Sequence, residues 1–187
     1  MARAGHAIHI ARQTTLSRIV AAQQDAQTAF PVADLRLEHS DGEMPTSEDD
    51  LQTALADSRG QDLAAGRTLI GPHRCDMIGT FAAKGVPASD CSTGEQKALL
   101  VSMILANARS LAQDLGSPPI ILLDEVSAHL DTGRRAALYD EICALGAQAW
   151  MTGTGAELFE ALGDRAQYLE VQESAGISQC GPIGGTR

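Results

Sequence analysis

The chain has 187 residues, of which 44% are hydrophobic and 3% aromatic, so it can bury the core of about one domain built mainly from aliphatic side chains. Its formal net charge of −10, with 14 unclustered Lys and Arg residues, argues against an autonomous nucleic-acid-binding protein, because phosphate neutralisation needs clustered basic side chains. Four cysteines without a Cys-x-x-Cys pair favour reduced thiols. With neither a signal peptide nor a run of about 18–20 apolar residues, a cytoplasmic protein without a membrane span is predicted.

The first 66 residues predict a mainly helical segment with one short strand, an arm of the molecule's second lobe. Residues 1–30 have a helical pattern that the following proline ends, and residues 33–38 alternate as a half-exposed strand does. A second helix is predicted over residues 47–66, with Ser47 or Thr46 as its cap. Three acids occupy its first turn, where the positive end of the helix dipole favours them.

Histidines in this region and just after it are candidates for ligand binding, each with a plainer alternative. His6 and His9 lie three residues apart, but no carboxylate or cysteine accompanies them, so a metal site is disfavoured. His73 and Arg74 follow a Gly-Pro turn, between a short strand predicted within residues 67–74 and another at 76–81. They could meet a phosphate or a carboxylate, or simply face water.

A long, deeply packed helix is predicted from Ser92 to Gly116. Ser92 and Glu95 have the Ser-x-x-Glu spacing of a capping box, apolar residues then recur at helical spacing, and Gly116 is a natural helix end. A helix N-terminus that presents backbone N–H groups, a hydroxyl and a glycine suits an anion. Capping explains Ser92 and Glu95, but it does not explain the poor helix former Gly94 in the first turn.

Four large apolar residues, 120–123, run directly into Asp124 and Glu125. An uninterrupted apolar run predicts a strand buried on both faces of a parallel sheet. The two carboxylates would then lie at the carboxyl edge, where open α/β sheets bind ligands. The alternative is a strand followed by an ordinary polar turn, and the neighbouring motifs decide between the two.

Helices and strands alternate in the segment after this strand. A polar connection leads to a helix capped by Asp131 or Thr132, and further strands are predicted at residues 147–152 and 167–171. The resulting β-α-β-α-β order predicts right-handed crossovers in a parallel sheet. Residues 173–187, rich in Gly and Ser, predict a disordered tail.

Three short motifs, at residues 92–96, 120–125 and 128–131, resemble those of the ABC-type ATPase head in their order and spacing. Within that superfamily, their residues resemble the RecF family of SMC-like repair ATPases. Together with similar stretches at residues 30–35 and 69–74, the resemblance covers most of residues 1–172. It implies an α/β P-loop NTPase head, represented here by its C-terminal half over residues 67–172, with a parallel sheet and flanking helices beside the N-terminal helical segment. The matching motifs are the signature at residues 92–96 opening helix 92–115, Walker B within residues 120–125 and the D-loop at residues 128–131.

The phosphate-cradling P-loop, G-x-x-x-x-G-K-[ST], does not occur in this sequence. In the RecF family that loop lies near the N-terminus of a chain about twice this length. The sequence is therefore expected to be the C-terminal half of such a protein, with Met1 an internal methionine or an artificial boundary. On its own the chain is expected neither to bind ATP tightly nor to turn it over.

The resemblance also implies roles for particular residues. Asp124 is expected to hold Mg²⁺, largely through water, and Glu125 is expected to orient or deprotonate the attacking water. Many related heads sense the γ-phosphate with a histidine after the next strand, where this chain has Thr152 or Thr154. The residues expected at the nucleotide, some of them acting in trans from a second protomer, are Ser92, Thr93, Gly94, Glu95, Gln96, Asp131 and Thr152.

By the same resemblance, the whole protein is an ATPase whose heads form an ATP-dependent homodimer on DNA, with ATP and Mg²⁺ as cofactors. The implied partners are single-strand/double-strand DNA junctions and recombination mediator proteins. The implied processes are recombinational repair, replication maintenance and the SOS response. Two alternatives stay open, namely half of another SMC- or ABC-type ATPase, and a module that dimerises without catalysis. An in-frame P-loop upstream would favour an ATPase, and ATP-dependent junction binding would favour the RecF reading.

Overall fold

The structure, a computed structural model, describes residues 1–26, 28–125 and 130–183. In its first half, helices and short 3-10 turns surround a three-stranded antiparallel sheet. In chain order the helices and strands are α1 (Ala2–Gln24), β1 (Ala33–His39), α2 (Glu48–Asp57), α3 (Arg59–Ala65), β2 (Cys75–Phe81) and β3 (Val86–Pro87).

The predicted caps and strands of this half are largely present. Ser47 caps α2 by accepting a hydrogen bond from the backbone N–H of Asp50, and β1 pairs with β2 along its whole length, across the predicted boundary at residue 66. The single helix predicted over residues 47–66 is wrong, because Ser58 separates α2 from α3. The short strand predicted within residues 67–74 is also absent, and that stretch ends in a 3-10 turn at Pro72–Arg74.

A buried amide joins the two halves of the molecule. The side-chain nitrogen of Gln23 donates to the carbonyl of Ala33 at 3.1 Å. Its side-chain oxygen accepts from the Ala33 N–H at 2.9 Å and from the Ser102 hydroxyl at 3.3 Å. Gln23 is only 2% exposed, so the three bonds satisfy polar atoms that water does not reach. They fix the end of α1 against both β1 and the helix that contains Ser102.

The second half holds the main hydrophobic core. A two-stranded parallel sheet lies against long helices, and a separate antiparallel hairpin follows. Buried side chains of both helices, including Val101, Leu105, Leu138 and Tyr139, pack together with the inward side chains of the parallel sheet. The elements are α4 (Thr93–Leu115), β4 (Ile121–Leu123), α5 (Thr132–Leu145), β5 (Ala149–Met151), a 3-10 segment (Ala156–Arg165), β6 (Leu169–Ser174) and β7 (Ile177–Pro182).

The parallel sheet is covered on one face. Ile121 and Leu123 are each 4% exposed and belong to the core, whereas Leu122 between them is 74% exposed. Its cross-strand partner Trp150 is 55% exposed, and Ile120 is 62% exposed. The prediction of a strand buried on both faces is therefore wrong for this chain, because no described element packs on the second face.

The segment after β5 also differs from the prediction. Residues 167–171 do not add a third parallel strand, because β6 pairs with β7 in an antiparallel hairpin. The predicted disordered tail is wrong for residues 173–183, and residues 184–187 lie outside the described residues. Ala175 and Gly176 turn this hairpin with positive φ angles of 52° and 77°, the conformation that a tight two-residue hairpin turn requires. Among the described helices, none is long and apolar enough to cross a membrane.

Candidate functional site

The carboxyl ends of β4 and β5 bring Asp124, Glu125 and Thr152 together. Parallel strands end at the same edge of a sheet, and the ladder continues one step past β4, since the Thr152 N–H donates to the Leu123 carbonyl at 3.0 Å. The Thr152 hydroxyl donates to a carboxylate oxygen of Asp124 at 2.5 Å. The same hydroxyl accepts from the backbone N–H of Glu125 at 3.0 Å. Thr152 thus holds the Asp124 carboxylate and the backbone of Glu125.

The backbone at Glu125 is strained. Its φ is +51°, in the left-handed region that costs a residue with a Cβ about 1–2 kcal/mol. Ala175 in the hairpin turn is the other described non-glycine residue with positive φ, and there the turn type requires it. Residues with strained backbones are enriched at functional sites. The strain therefore favours Glu125 as a residue held for chemistry.

The donors at this edge suit a hard cation. Asp124 and Glu125 are both exposed, and Mg²⁺ is usually bound by one or two carboxylates together with water and substrate phosphates. Within the described residues no group of three or more His, Cys, Asp or Glu side chains could hold a metal by itself. Two carboxylates at this edge are compatible with an ion whose remaining ligands come from water and a substrate.

The predicted capping box at the start of α4 is present. The Ser92 hydroxyl accepts from the backbone N–H of Glu95 at 3.4 Å and donates to the Glu95 carboxylate at 2.8 Å. The same carboxylate accepts from the backbone N–H of Ser92 at 3.0 Å. The Gln96 side chain takes no part in this box, and its nitrogen donates to the carbonyls of Ala88 and Ser89. Ser92 and Thr93 are exposed, so this helix end is open to an incoming group.

Lys84 was not singled out from the sequence, yet it holds Glu95. It lies in the turn after β2, forms an ion pair with the Glu95 carboxylate and sits 5.3 Å from the centre of the Phe81 ring. The Lys84 ammonium, with the Ser92 hydroxyl and N–H, lowers the pKa of Glu95 to about 2. Glu95 in turn raises the pKa of Lys84, which the charge of Arg134 opposes. No sequence pattern links Lys84 to Glu95. The only indication in the sequence is that the predicted turn containing Lys84 precedes the helix.

Gly94 leaves open space at the same helix end. A Cβ built on it would meet nothing within 4 Å, and its φ is not in the positive range. Neither packing nor backbone conformation inside this chain therefore requires a glycine. A glycine in a first helical turn without an internal reason is what close approach by an external group needs.

Asp131 caps α5. One carboxylate oxygen accepts from the backbone N–H of Arg134 at 2.9 Å, and the other lies 3.7 Å from the Arg134 guanidinium. Residues 128 and 129 of the predicted D-loop lie outside the described residues. Among the described residues no hydrogen bond or ion pair joins either helix start to Asp124 or Glu125.

The turn with His73 and Arg74 is used internally. Arg74 donates to the Asp41 carboxylate at 2.8 Å, which lowers the pKa of Asp41, and a ring nitrogen of His73 lies 2.9 Å from the Thr68 carbonyl. Arg12 donates to the Pro72 carbonyl at 2.6 Å. These contacts favour the structural interpretation of the turn over an anion site.

His6 and His9 face a third histidine, His39. His9 is 7% exposed and His39 9% exposed, and each of the three rings has a buried nitrogen without a hydrogen-bond partner. Burial lowers the pKa of His9, and the charges of His6, Arg12 and His39 lower it further. Within the described residues no group of His, Cys, Asp and Glu side chains that could hold a metal is present here.

Comparison with known proteins relates the chain to one family of DNA repair proteins. It is 50% identical over 181 residues to the DNA replication and repair protein RecF of Allorhizobium ampelinum. It is 48% identical over 180 residues to that of Rhizobium johnstonii and over 183 residues to that of Brucella abortus. These alignments cover 91–92% of this chain and 47–48% of each relative, so the chain spans about half the length of the curated relatives it matches. No family model matches the chain.

Solved structures confirm the predicted fold class. The recombination mediator protein RecF with ATP superposes with a TM-score of 0.68 at 21% identity, covering 96% of this chain and 48% of that chain. An SMC ATPase head superposes with a TM-score of 0.53 at 15% identity, covering 93% of this chain and 88% of that chain. The chain therefore shares its α/β fold with these RecF and SMC ATPase structures.

Proposed function

The chain belongs to the RecF family over 92% of its length, and on that basis we propose that it is the C-terminal half of an ATP-dependent DNA-binding ATPase of replication and repair. The observation that supports catalysis most directly is the strained Glu125 beside Asp124, both hydrogen-bonded to Thr152. The relatives' names support the biological setting, and the geometry supports the chemistry.

Each residue of the sheet edge has a role in the proposed reaction. Asp124 would hold Mg²⁺, which neutralises developing phosphate charge when it is bound. Glu125 would accept the proton of the attacking water or orient it, and its left-handed backbone fixes where its carboxylate starts. Thr152 would hold Asp124 in place through its hydroxyl, and it would lie close to the γ-phosphate.

The start of α4 would act on a nucleotide held by a second protomer. Its exposed N-terminus, the Ser92 hydroxyl and the open space at Gly94 allow a triphosphate to approach closely. The Ser92 hydroxyl now donates its proton to Glu95, so engaging a phosphate requires that bond to open. The same interface of an ATP-dependent homodimer would include Thr93, Glu95 and Gln96 of α4, together with Asp131 at the start of α5.

The chain by itself is proposed to be inactive, because its sequence has no G-x-x-x-x-G-K-[ST] to cradle the phosphates. The whole protein would bind single-strand/double-strand DNA junctions and work with recombination mediator proteins in repair, replication maintenance and the SOS response. Its place would be the cytoplasm, with the DNA. Since the chain has a formal charge of −10, the DNA-binding surface would be a local patch or belong to the other half.

The test uses this chain joined to the unmatched half of the Allorhizobium ampelinum RecF. Junction-stimulated ATP hydrolysis is expected, and Glu125→Gln should lower kcat by about 100-fold or more while ATP binding and dimerisation persist. Glu173→Gln, on the exposed hairpin, is the matched control and should leave kcat unchanged. Normal turnover by the Glu125→Gln protein would falsify the assignment of the base. ATP-dependent dimerisation without any turnover would instead favour the non-catalytic module.

A further inference from the structure

The turn between β2 and β3 brings Lys84 to the start of α4. The backbone N–H of Lys84 donates to the Phe81 carbonyl at 3.0 Å, and that of Gly85 donates to the same carbonyl at 2.8 Å. Gly85 has a φ of +62°, a conformation that glycine adopts without strain. The Lys84 ammonium lies 5.3 Å from the centre of the Phe81 ring and forms an ion pair with the Glu95 carboxylate. The turn and the ring therefore hold the Lys84 ammonium beside Glu95.

The two carboxylate oxygens of Glu95 have different partners. The Oε1 atom pairs with the Lys84 ammonium. The Oε2 atom accepts hydrogen bonds from the Ser92 hydroxyl at 2.8 Å and from the Ser92 N–H at 3.0 Å. The capping contacts use Oε2 and are therefore complete without Lys84. What Lys84 adds to this helix start is a positive charge on the other oxygen.

The charge of Glu95 has opposite effects on the helix and on an incoming phosphate. Glu95 lies in the first turn of α4, where a carboxylate interacts favourably with the helix dipole. The same carboxylate repels a phosphate that approaches the helix start. Stability alone does not account for Lys84, because its side chain is 52% exposed and ion pairs at the surface contribute little to stability. Its larger effect is that the Lys84–Glu95 pair as a whole has no net charge.

We propose that Lys84 is a positioning residue of the nucleotide site, which neutralises Glu95 so that a phosphate held by a second protomer can approach the start of α4. The inference rests on the proposed function, because that function supplies the nucleotide. When the phosphate arrives, the Ser92 hydroxyl turns its proton from Glu95 to a phosphate oxygen, and Lys84 remains on Glu95 as the counter-charge. The open space at Gly94 admits the phosphate. Lys84 acts through Glu95 and does not itself touch the nucleotide.

Dimerisation measures this role in the chain joined to the unmatched half of the Allorhizobium ampelinum RecF. Sedimentation with a slowly hydrolysed ATP analogue gives the dimer affinity. Lys84→Met should weaken the dimer by about tenfold or more, because an unpaired carboxylate then faces the phosphate. Lys84→Arg keeps the charge and should keep most of the affinity. Arg18→Met is the matched control, since it removes an exposed ion pair to Asp114 near the other end of α4, and it should leave the affinity unchanged.

A double variant separates neutralisation of Glu95 from direct contact with the phosphate. Glu95→Gln removes the charge that Lys84 opposes, and glutamine can still complete a capping box. Added to Lys84→Met, this substitution should therefore restore the dimer. A double variant as weak as Lys84→Met alone would overturn the inference in favour of a lysine that binds the phosphate directly. A dimer that Lys84→Met leaves unchanged would overturn it as well.

A second measurement needs no nucleotide. The Lys84 ammonium is the largest cause of the low pKa of Glu95, which is about 2. In NMR titrations of the Glu95 carboxyl carbon, this pKa should rise in the Lys84→Met chain and stay low in Arg18→Met, and an unchanged pKa in Lys84→Met would overturn the inference. A joined protein without any analogue-dependent dimer would contradict the proposed function, and the inference would fall with it. A dimer that forms but does not respond to Lys84→Met would contradict the inference alone.

Discussion

Replacing Gly94 by Ala is expected to stabilise the chain, although Gly94 lies in the motif assigned to nucleotide binding. A Cβ there meets nothing within 4 Å, and the backbone has no positive φ. The substitution therefore lowers the entropy of the unfolded chain without strain, a gain of about 0.4–1 kcal/mol in the free energy of unfolding. For a chain of this length the gain corresponds to about 1–4 °C in Tm.

Gly116→Ala is the matched control, because it is the same substitution at the other end of α4. A Cβ on Gly116 also meets nothing within 4 Å, but its φ is +72°. The left-handed conformation costs Ala about 1–2 kcal/mol, so Tm should fall. Urea unfolding followed by circular dichroism, together with thermal melts, measures both variants. Shifts of the same sign for the two would refute the reasoning that open space and φ decide the outcome.

The stabilising substitution should cost function. In the protein joined to the unmatched half of a RecF relative, Gly94→Ala places a methyl group where the proposal brings a triphosphate close. ATP turnover should therefore fall although stability rises, which is the trade-off typical of functional positions. Unchanged turnover in a more stable protein would show that the glycine is not needed for close approach.

Further expectations concern the hydrogen bonds and the histidine cluster. Thr152→Val removes the hydroxyl that holds the Asp124 carboxylate and the backbone of Glu125 and should cost about 1 kcal/mol in urea unfolding, whereas Thr154→Val on the exposed turn should be neutral. Gln23→Leu leaves the buried backbone N–H and carbonyl of Ala33 without their hydrogen-bond partner and should cost about 2–4 kcal/mol in the free energy of unfolding. Gln24→Leu, at an exposed position, is the control, and equal losses for the two variants would contradict this reasoning. The pKa of His9 is lowered in the folded state, so the unfolded chain takes up the proton first and stability should fall as pH drops below 6.5; a His9→Gln protein should lose part of that pH dependence in melts between pH 7.5 and 5.

Local chemistry was predictable from the sequence wherever neighbouring residues alone decide the outcome. The capping box of Ser92 and Glu95, the cap of α5 at Asp131 and the helix end at Gly116 all follow from residues within one turn. Asp124 and Glu125 also follow β4 directly, as the apolar run predicted. Short-range hydrogen bonds and φ preferences suffice for each of these features.

A strand was predicted at residues 167–171, where β6 begins, but its antiparallel partner β7 was missed. β7 is exposed along almost its whole length, and its sparse apolar residues do not distinguish it from a polar tail. Ala175 and Gly176 form the turn, but Ala is not among the residues that prefer positive φ. Pairing between the two strands, which no single strand displays, decides the structure.

Tertiary structure alone decided what surrounds the two motifs. The sequence determined that Asp124 and Glu125 end a strand, but the strain at Glu125 and the hydroxyl of Thr152 appear only when β4 and β5 lie in register. Lys84 reaches Glu95 from another element, a pairing without any sequence period. Burial likewise depends on how the layers pack. The apolar side chain of Leu122 predicts a covered position, and only the packing shows that Leu122 is exposed in this chain.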